Sequence, residues 1–245
     1  MTLRIVPVYP ELLSIYADRG NVLVLGRRAE WRGIAHEVAP LAVGEDLDPA
    51  RADVILIGGG QDRDQALVAE HLRRQAPAIR SALDDGAALL AVCGGYQLLG
   101  GSYRDQSGRE TPGIGLVDLE TTAGDGRLIG NVLVEVELDG VAHEMVGFEN
   151  HAGRTTLGAG VEPLGRVMAG HGNDGRSGGE GVRAGRVIGT YVHGPLLPRN
   201  PWLADRLLAW GCERRGLPSE LDPLDDRLEL AAAARAADIA RREAA

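Results

Sequence analysis

The chain has 245 residues, 44% hydrophobic and 25% charged, a balance that excludes a disordered protein and is enough for a well-buried α/β domain. The formal net charge is -9 and the basic residues are scattered, which argues against nucleic acid, whose phosphates need a clustered basic face. Two cysteines without paired spacing, and no apolar run near the roughly 20 residues of a bilayer span, predict a reduced, cytoplasmic protein that does not insert into a membrane.

In chain order, "LRIVPVY" (3–9) and "DVILIGGG" (53–60) read as strands. Residues 62–85 carry a helical pattern, expected to bend or divide at Pro77 and to stop at Gly86. "AALLAV" (87–92) is an apolar run without alternation, which suits a strand buried on both faces. This rhythm predicts an α/β fold with an open, mostly parallel sheet flanked by helices. From about 102 to 192, short β-runs between glycine turns, "NVLVEVEL" (131–138), "MVGFEN" (145–150) and "RVIGTYV" (186–192), predict extra β-structure in the second half. "AGHGNDGRSGGEGVRAG" (169–185) reads as a mobile surface loop. Helices follow at 201–214 and 228–243. No repeat or linker divides the chain, so 1–245 is expected to be a single domain.

"LLAVCGGYQLLGG" (89–101) ends an apolar strand in a thiol, then two glycines, then a helical pattern. Cys93 is either core packing or a nucleophile on a strand-to-helix turn, where a helix N-terminus would lower its pKa. Cys212, in the helical "LLAWGCERRG", reads as structural. A thiol nucleophile needs a base. His36 and His71 read as solvated on polar helical faces, and His143 and His171 as turn residues. His151 in "VGFENHAGRT" and His193 in "VIGTYVHGPLLP" are the candidates, against the plain alternative of a hydrogen-bonded surface histidine. The Gly94 N–H could serve a developing oxyanion, and "IGGGQDRDQ" (57–65) offers a second glycine turn, as an oxyanion support or merely as a tight turn. It lacks the GK[ST] of a phosphate loop, and no HxxxH, HExxH or cysteine pair predicts a metal site.

With these pieces in place, the chain resembles the class I (triad-type) glutamine amidotransferases, in the branch related to cobyric acid synthase. The resemblance rests on six blocks in order: "VYPELLSIYADRGN" (8–21), "IGGGQDRDQ" (57–65), "CGGYQLLG" (93–100), "GRLIGN" (126–131), "VGFENHAGRT" (146–155) and "GTYVHGPLLPRN" (189–200). It implies a flavodoxin-like architecture and a glutaminase. Cys93 would attack the side-chain amide of L-glutamine and His193 would move the proton. Gly94, Gly59 and Gly60 would hold the oxyanion, Arg127 would pair with the α-carboxylate, and Gln97 and His151 would line the pocket. It further implies a heterodimer with a Mur-ligase-like synthetase subunit of the MurT type, which would carry ATP and Mg, since no ATP motif and no cofactor is expected in this chain. The acceptor would be the α-carboxyl of the D-glutamate in the lipid II stem peptide, at the inner face of the membrane. A cobyrinate-type acceptor and a related γ-glutamyl hydrolase are the alternatives. The wider family carries a glutamate two residues after its histidine; here that position is Pro195, so an acidic residue from the partner is expected to complete the site.

Overall fold

The computed structural model describes residues 1–15 and 18–244; Tyr16 and Ala17, which fall within the "VYPELLSIYADRGN" block, and Ala245 lie outside the described residues. Strand β1 (Leu3–Val8) leads to helix α1 (Arg19–Trp31), β2 (His36–Val38), β3 (Val54–Ile57), α2 (Asp62–Asp84), β4 (Ala88–Val92) and the short α3 (Gly94–Leu98). Then come β5 (Ser102–Arg104), β6 (Glu110–Pro112), β7 (Leu119–Leu138), β8 (Val141–Leu157), β9 (Gly165–Ala169), β10 (Gly179–Glu180), β11 (Val182–Ala184) and β12 (Val187–Thr190). Helices α4 (Leu196–Arg199), α5 (Pro201–Arg214) and α6 (Arg227–Glu243) end the chain.

The first sheet has the order β11-β12-β4-β3-β1-β2, parallel throughout except for the antiparallel edge strand β11. Counting β12 as the fifth parallel strand, this is the doubly wound 2-1-3-4-5 order, and ligands in such sheets bind beyond the carboxyl ends of the strands. Every residue of β3 and β4 is buried, which explains why these segments are apolar without alternation. Helix α5 comes close to the sheet at Gly211, where a Cβ would lie 2.7 Å from Val54 and 2.8 Å from Leu3.

The extra β-structure forms a second sheet, order β10-β9-β7-β5-β6, with β8 paired to β7. Strands β7 and β8 form a long hairpin closed at Asp139 and Gly140, whose φ values of 54° and 80° are those a two-residue Asp-Gly turn requires. Its ladder is irregular between Ala123 and Leu128. A bridge from Phe148 to His193 ties β8 to the edge of the first sheet. One buried core runs through both sheets, from Leu3 and Ile55 to Val134 and Met145.

Several expectations are corrected. Helix α2 is continuous through Pro77, which is exposed, so the chain tolerates one missing backbone hydrogen bond there. The 169–185 segment is not a loose loop. Asn173 exchanges hydrogen bonds with Gly181, buried Glu180 accepts from Thr190 and Tyr191, and the segment contributes β10 and β11. His36 lies in β2, and His71 is buried, its Nδ1 2.5 Å from the Tyr9 hydroxyl and its Nε2 accepting from Gly44 N–H. His143, read as a turn residue, lies in β8 and stacks on Trp202. These partners are remote in sequence, so local pattern cannot register them.

Candidate active site

Strand β4 delivers Cys93 to the carboxyl edge with φ 51° and ψ −105°, a left-handed conformation that costs a non-glycine residue energy. Two backbone bonds hold it there: Cys93 N–H donates to Thr190 O (2.8 Å), and Gln97 N–H donates to Cys93 O (2.9 Å). The two glycines after it are required by close approach. A Cβ on Gly94 would stand 2.8 Å from Gly60 N, and one on Gly95 would stand 2.5 Å from Ile57 O. The turn is therefore packed onto the carboxyl end of β3, and the thiol stands where a strained strand-to-helix elbow presents a nucleophile.

His193 follows β12 and exchanges backbone hydrogen bonds with Phe148 (2.8 and 3.2 Å). It is fully buried. The parallel pairing of Thr190 with Val92 brings it to the same edge as Cys93. A Cβ on Gly59 would lie 3.2 Å from His193 Cε1, so the glycine turn after β3 packs against the imidazole.

The electrostatics of this pair reverse the sequence expectation for the thiol. Burial, followed by the charge of Asp18, pushes Cys93 up to about 12, although the Gly94 N–H and Arg127 act in the other direction. Helix α3 has only five residues, too short for a dipole that offsets burial. Burial also draws His193 down to about 3, with His151 and Arg127 adding to the effect. The resting pair is a neutral thiol and a neutral imidazole.

A cleft of about 670 Å³ opens onto this edge, and Cys93, Gly60, Gln97, Arg127 and His151 line it together. His193 and Gly59 are not on its wall. Arg127 lies in the irregular stretch of β7, where its Nε and Nη2 donate to the side chain and backbone oxygens of Asn150 (2.5 and 2.6 Å). Buried Gln97 accepts from Gln65 Nε2 (3.0 Å) and donates to the Tyr191 hydroxyl (3.3 Å). His151 Nδ1 donates to Gly153 O (2.8 Å), its Nε2 lies 3.9 Å from Glu149 Oε2, and its ring stacks on Tyr191 at 3.6 Å.

Gly59 differs from the expectation in one respect. Its N–H already donates to Asp18 Oδ2 (2.6 Å), while the Gly94 amide donates to the Cys93 sulfur and Gly60 N lies beside Gly94. Sequence reasoning missed Asp18, Gln65 and the Asp62–Tyr103 pair at the cleft (3.1 Å). Asp18 was visible only as a letter of the "DRGN" text. Asp205, the first acidic residue after His193, is bound to Arg28 and Arg32 (2.6 and 2.7 Å). Among the described residues, no group of three or more His, Cys, Asp or Glu could hold a metal ion.

Residues 4–201 match the CobB/CobQ-like glutamine amidotransferase domain. The chain belongs to this family. It is 39% identical over 220 residues to the GatD subunit of the glutamine-hydrolysing lipid II isoglutaminyl synthase of Staphylococcus aureus (strain N315), covering 90% of this chain and 88% of that one. The corresponding subunit of Streptococcus pneumoniae (strain ATCC BAA-255 / R6) is 36% identical, covering 92% and 87%. PurLQS from Thermotoga maritima shares the fold, with a TM-score of 0.56 at 18% identity over 79% of this chain and 88% of that one. The family member described here is thus a class I glutamine amidotransferase, an enzyme whose glutaminase reaction fits the elbow cysteine.

Proposed function

We propose that the chain is the glutaminase subunit of a two-chain amidotransferase: it hydrolyses L-glutamine and passes ammonia to a Mur-ligase-like synthetase that amidates the D-glutamate α-carboxyl of lipid II. The observation that carries the reading is Cys93, held at φ 51° above a cleft that also receives Arg127. Near full-length similarity to two GatD subunits supports the acceptor and the partner. Among the described residues no helix is long and apolar enough to cross a membrane, so a lipid-linked acceptor would be held by the partner, which would also carry ATP and Mg.

In this reading the Cys93 thiol gives its proton to His193 as the sulfur bonds to the side-chain amide carbon of glutamine. The Gly94 and Gly60 N–H groups receive the oxyanion, while Arg127 takes the α-carboxylate. Gln97 and His151 shape the pocket wall. Collapse breaks the C–N bond, His193 returns the proton to the departing nitrogen, and ammonia leaves. Water then adds to the thioester, giving up a proton to His193; collapse releases glutamate and restores the thiol.

The neutral resting pair makes the first proton transfer unfavourable, because an imidazolium formed there is buried. Pro195 offers it no carboxylate and Asp205 is held by two arginines. An acidic group from the synthetase would stabilise that imidazolium and switch hydrolysis on when the subunits meet. The test compares glutamine hydrolysis by the isolated chain and by the chain mixed with a Mur-ligase-like subunit. A rise of at least tenfold is expected in the complex, removed by replacing one interface carboxylate; full activity in the isolated chain would refute the activation.

A further inference from the structure

Asp18 is buried, and its carboxylate is not spent on an arginine. Oδ2 accepts the Gly59 N–H at 2.6 Å, and Oδ1 lies 3.4 Å from Asn21 Nδ2. Ile15 N–H donates to Gly59 O at 3.2 Å. The Gly59 residue is thus gripped at both its N–H and its C=O by the segment that follows β1. The grip is tight: a Cβ on Gly58 would lie 2.2 Å from Leu13 O, and one on Gly59 would lie 2.8 Å from Ile15 Cγ1. The same Gly59 position lies 3.3 Å from Asp18 Oδ2 and 3.2 Å from His193 Cε1, so carboxylate and imidazole flank one glycine.

The consequence concerns the next residue. A three-glycine turn has wide conformational freedom, and an oxyanion donor is useful only if its direction is set before reaction. Gly60 N lies 2.8 Å from where Gly94 would carry a Cβ, beside the elbow, and the Gly60 carbonyl accepts from Gln65 Nε2 at 3.2 Å. The Gly59 carbonyl and the Gly60 N–H share one planar trans peptide, so with the Gly59 N–H held by Asp18 and its carbonyl held by Ile15, the Gly60 N–H points to the opposite side, away from the segment that follows β1. The carboxylate also stands close enough to Cys93 to raise the thiol's pKa, a cost at the nucleophile that needs a compensating use.

We propose that Asp18 is a positioning residue for the glutaminase reaction: by holding the Gly59 amide it aims the Gly60 N–H at the oxyanion that forms beside Cys93. This rests on the glutaminase reading above. The test measures glutamine hydrolysis by the full chain carrying Asp18→Ala or Asp18→Asn. Losing an oriented oxyanion donor typically lowers kcat by about 10²–10³-fold. Asp18→Ala should show such a loss with KM within about threefold, while Asp18→Asn, whose amide oxygen still accepts the Gly59 N–H, should stay within about tenfold of wild type. Alkylation of Cys93 by iodoacetamide, which develops no oxyanion, should change only a few-fold in either variant. A kcat within threefold of wild type in Asp18→Ala overturns the proposal, as does an equal loss in both variants or a loss confined to KM. Where Asp18→Ala does not fold, the Gly59 amide resonance decides: a charged acceptor draws this proton downfield, and a resonance that does not move in Asp18→Asn overturns the contact. Hydrolysis that survives Cys93→Ala unchanged would instead overturn the glutaminase reading, and this inference with it.

Discussion

At the scale of single residues, burial raises the Cys93 thiol and lowers the His193 imidazole, so each is pushed further toward its neutral form at one sheet edge. Cys93→Ala is expected to abolish glutamine hydrolysis while leaving the fold intact, because alanine fits the elbow with less bulk. A glutamine-like electrophile should label Cys93 and leave Cys212 untouched, which peptide mapping checks; Cys212 is fully buried in α5. Arg127→Ala should raise KM by about ten- to a hundredfold with kcat little changed, since a charged hydrogen bond is worth about 1.5–3 kcal/mol and the α-carboxylate does not react. His193 also makes a stability prediction. Its folded pKa, near 3, is below the ordinary 6.5, so between these values the unfolded chain binds the extra proton. Its contribution is therefore fully present above about pH 6.5 and lost as pH falls toward 3. Asp18, raised to about 6, and Glu180, raised to about 8, act in the opposite sense as carboxyls, so the effect must be read by difference. Urea unfolding at pH 7 and pH 4.5 should show a larger loss in wild type than in His193→Gln.

At the scale of elements, glycines decide how closely the site's parts approach. Gly95→Ala would press a methyl into the Ile57 carbonyl, 2.5 Å away, with only backbone to yield. We expect a stability loss of about 1–3 kcal/mol and a large fall in activity, read by urea unfolding and a glutaminase assay, because α3 can relax only by lifting Gly94 away from Gly60. Helix α2 offers the contrary case. Pro77 is exposed within it, so Pro77→Ala should restore a backbone donor and raise stability by up to about 3 kcal/mol without altering kcat. A neutral or negative change would mean that the helix depends on the proline.

At the scale of the whole molecule, a buried ionic cluster joins segments far apart in the chain. Arg28 of α1 binds Asp205 of α5 and Asp226 at the start of α6, each at 2.6 Å, and Arg32 binds Asp205 at 2.7 Å. Arg28 is 2% exposed. Removing it leaves the Asp226 carboxylate without this arginine and Asp205 with Arg32 alone, so Arg28→Ala should cost a part of the roughly 3–5 kcal/mol of a fully buried pair. Asp205→Asn should lower stability yet leave kcat within about twofold, as measured by calorimetry and glutaminase assay. A loss of activity without a loss of stability would place Asp205 in the catalytic machinery.

Much of this was legible in the sequence because it is local. The "DVILIGGG" and "AALLAV" runs announce strands, the second without alternation and so buried on both faces, and the thiol followed by two glycines in "VCGGYQ" points to a strand-to-helix turn. Strand β12 was likewise readable from its apolar run, and the glycine after His193 marks its exit. What the sequence could not determine is what those residues meet. Cys93 looked like a thiol acidified by a helix, but burial and Asp18, 75 positions away in the chain, outweigh five residues of helix. The glycine-rich 169–185 stretch reads as mobile, yet Asn173 ties it to Thr155 and Tyr96, and Glu180 ties it to the end of β12. Propensity and periodicity report a residue's immediate neighbours along the chain. Burial, proton affinity and the aim of a backbone N–H depend on neighbours through space, and only the packed tertiary structure supplies those.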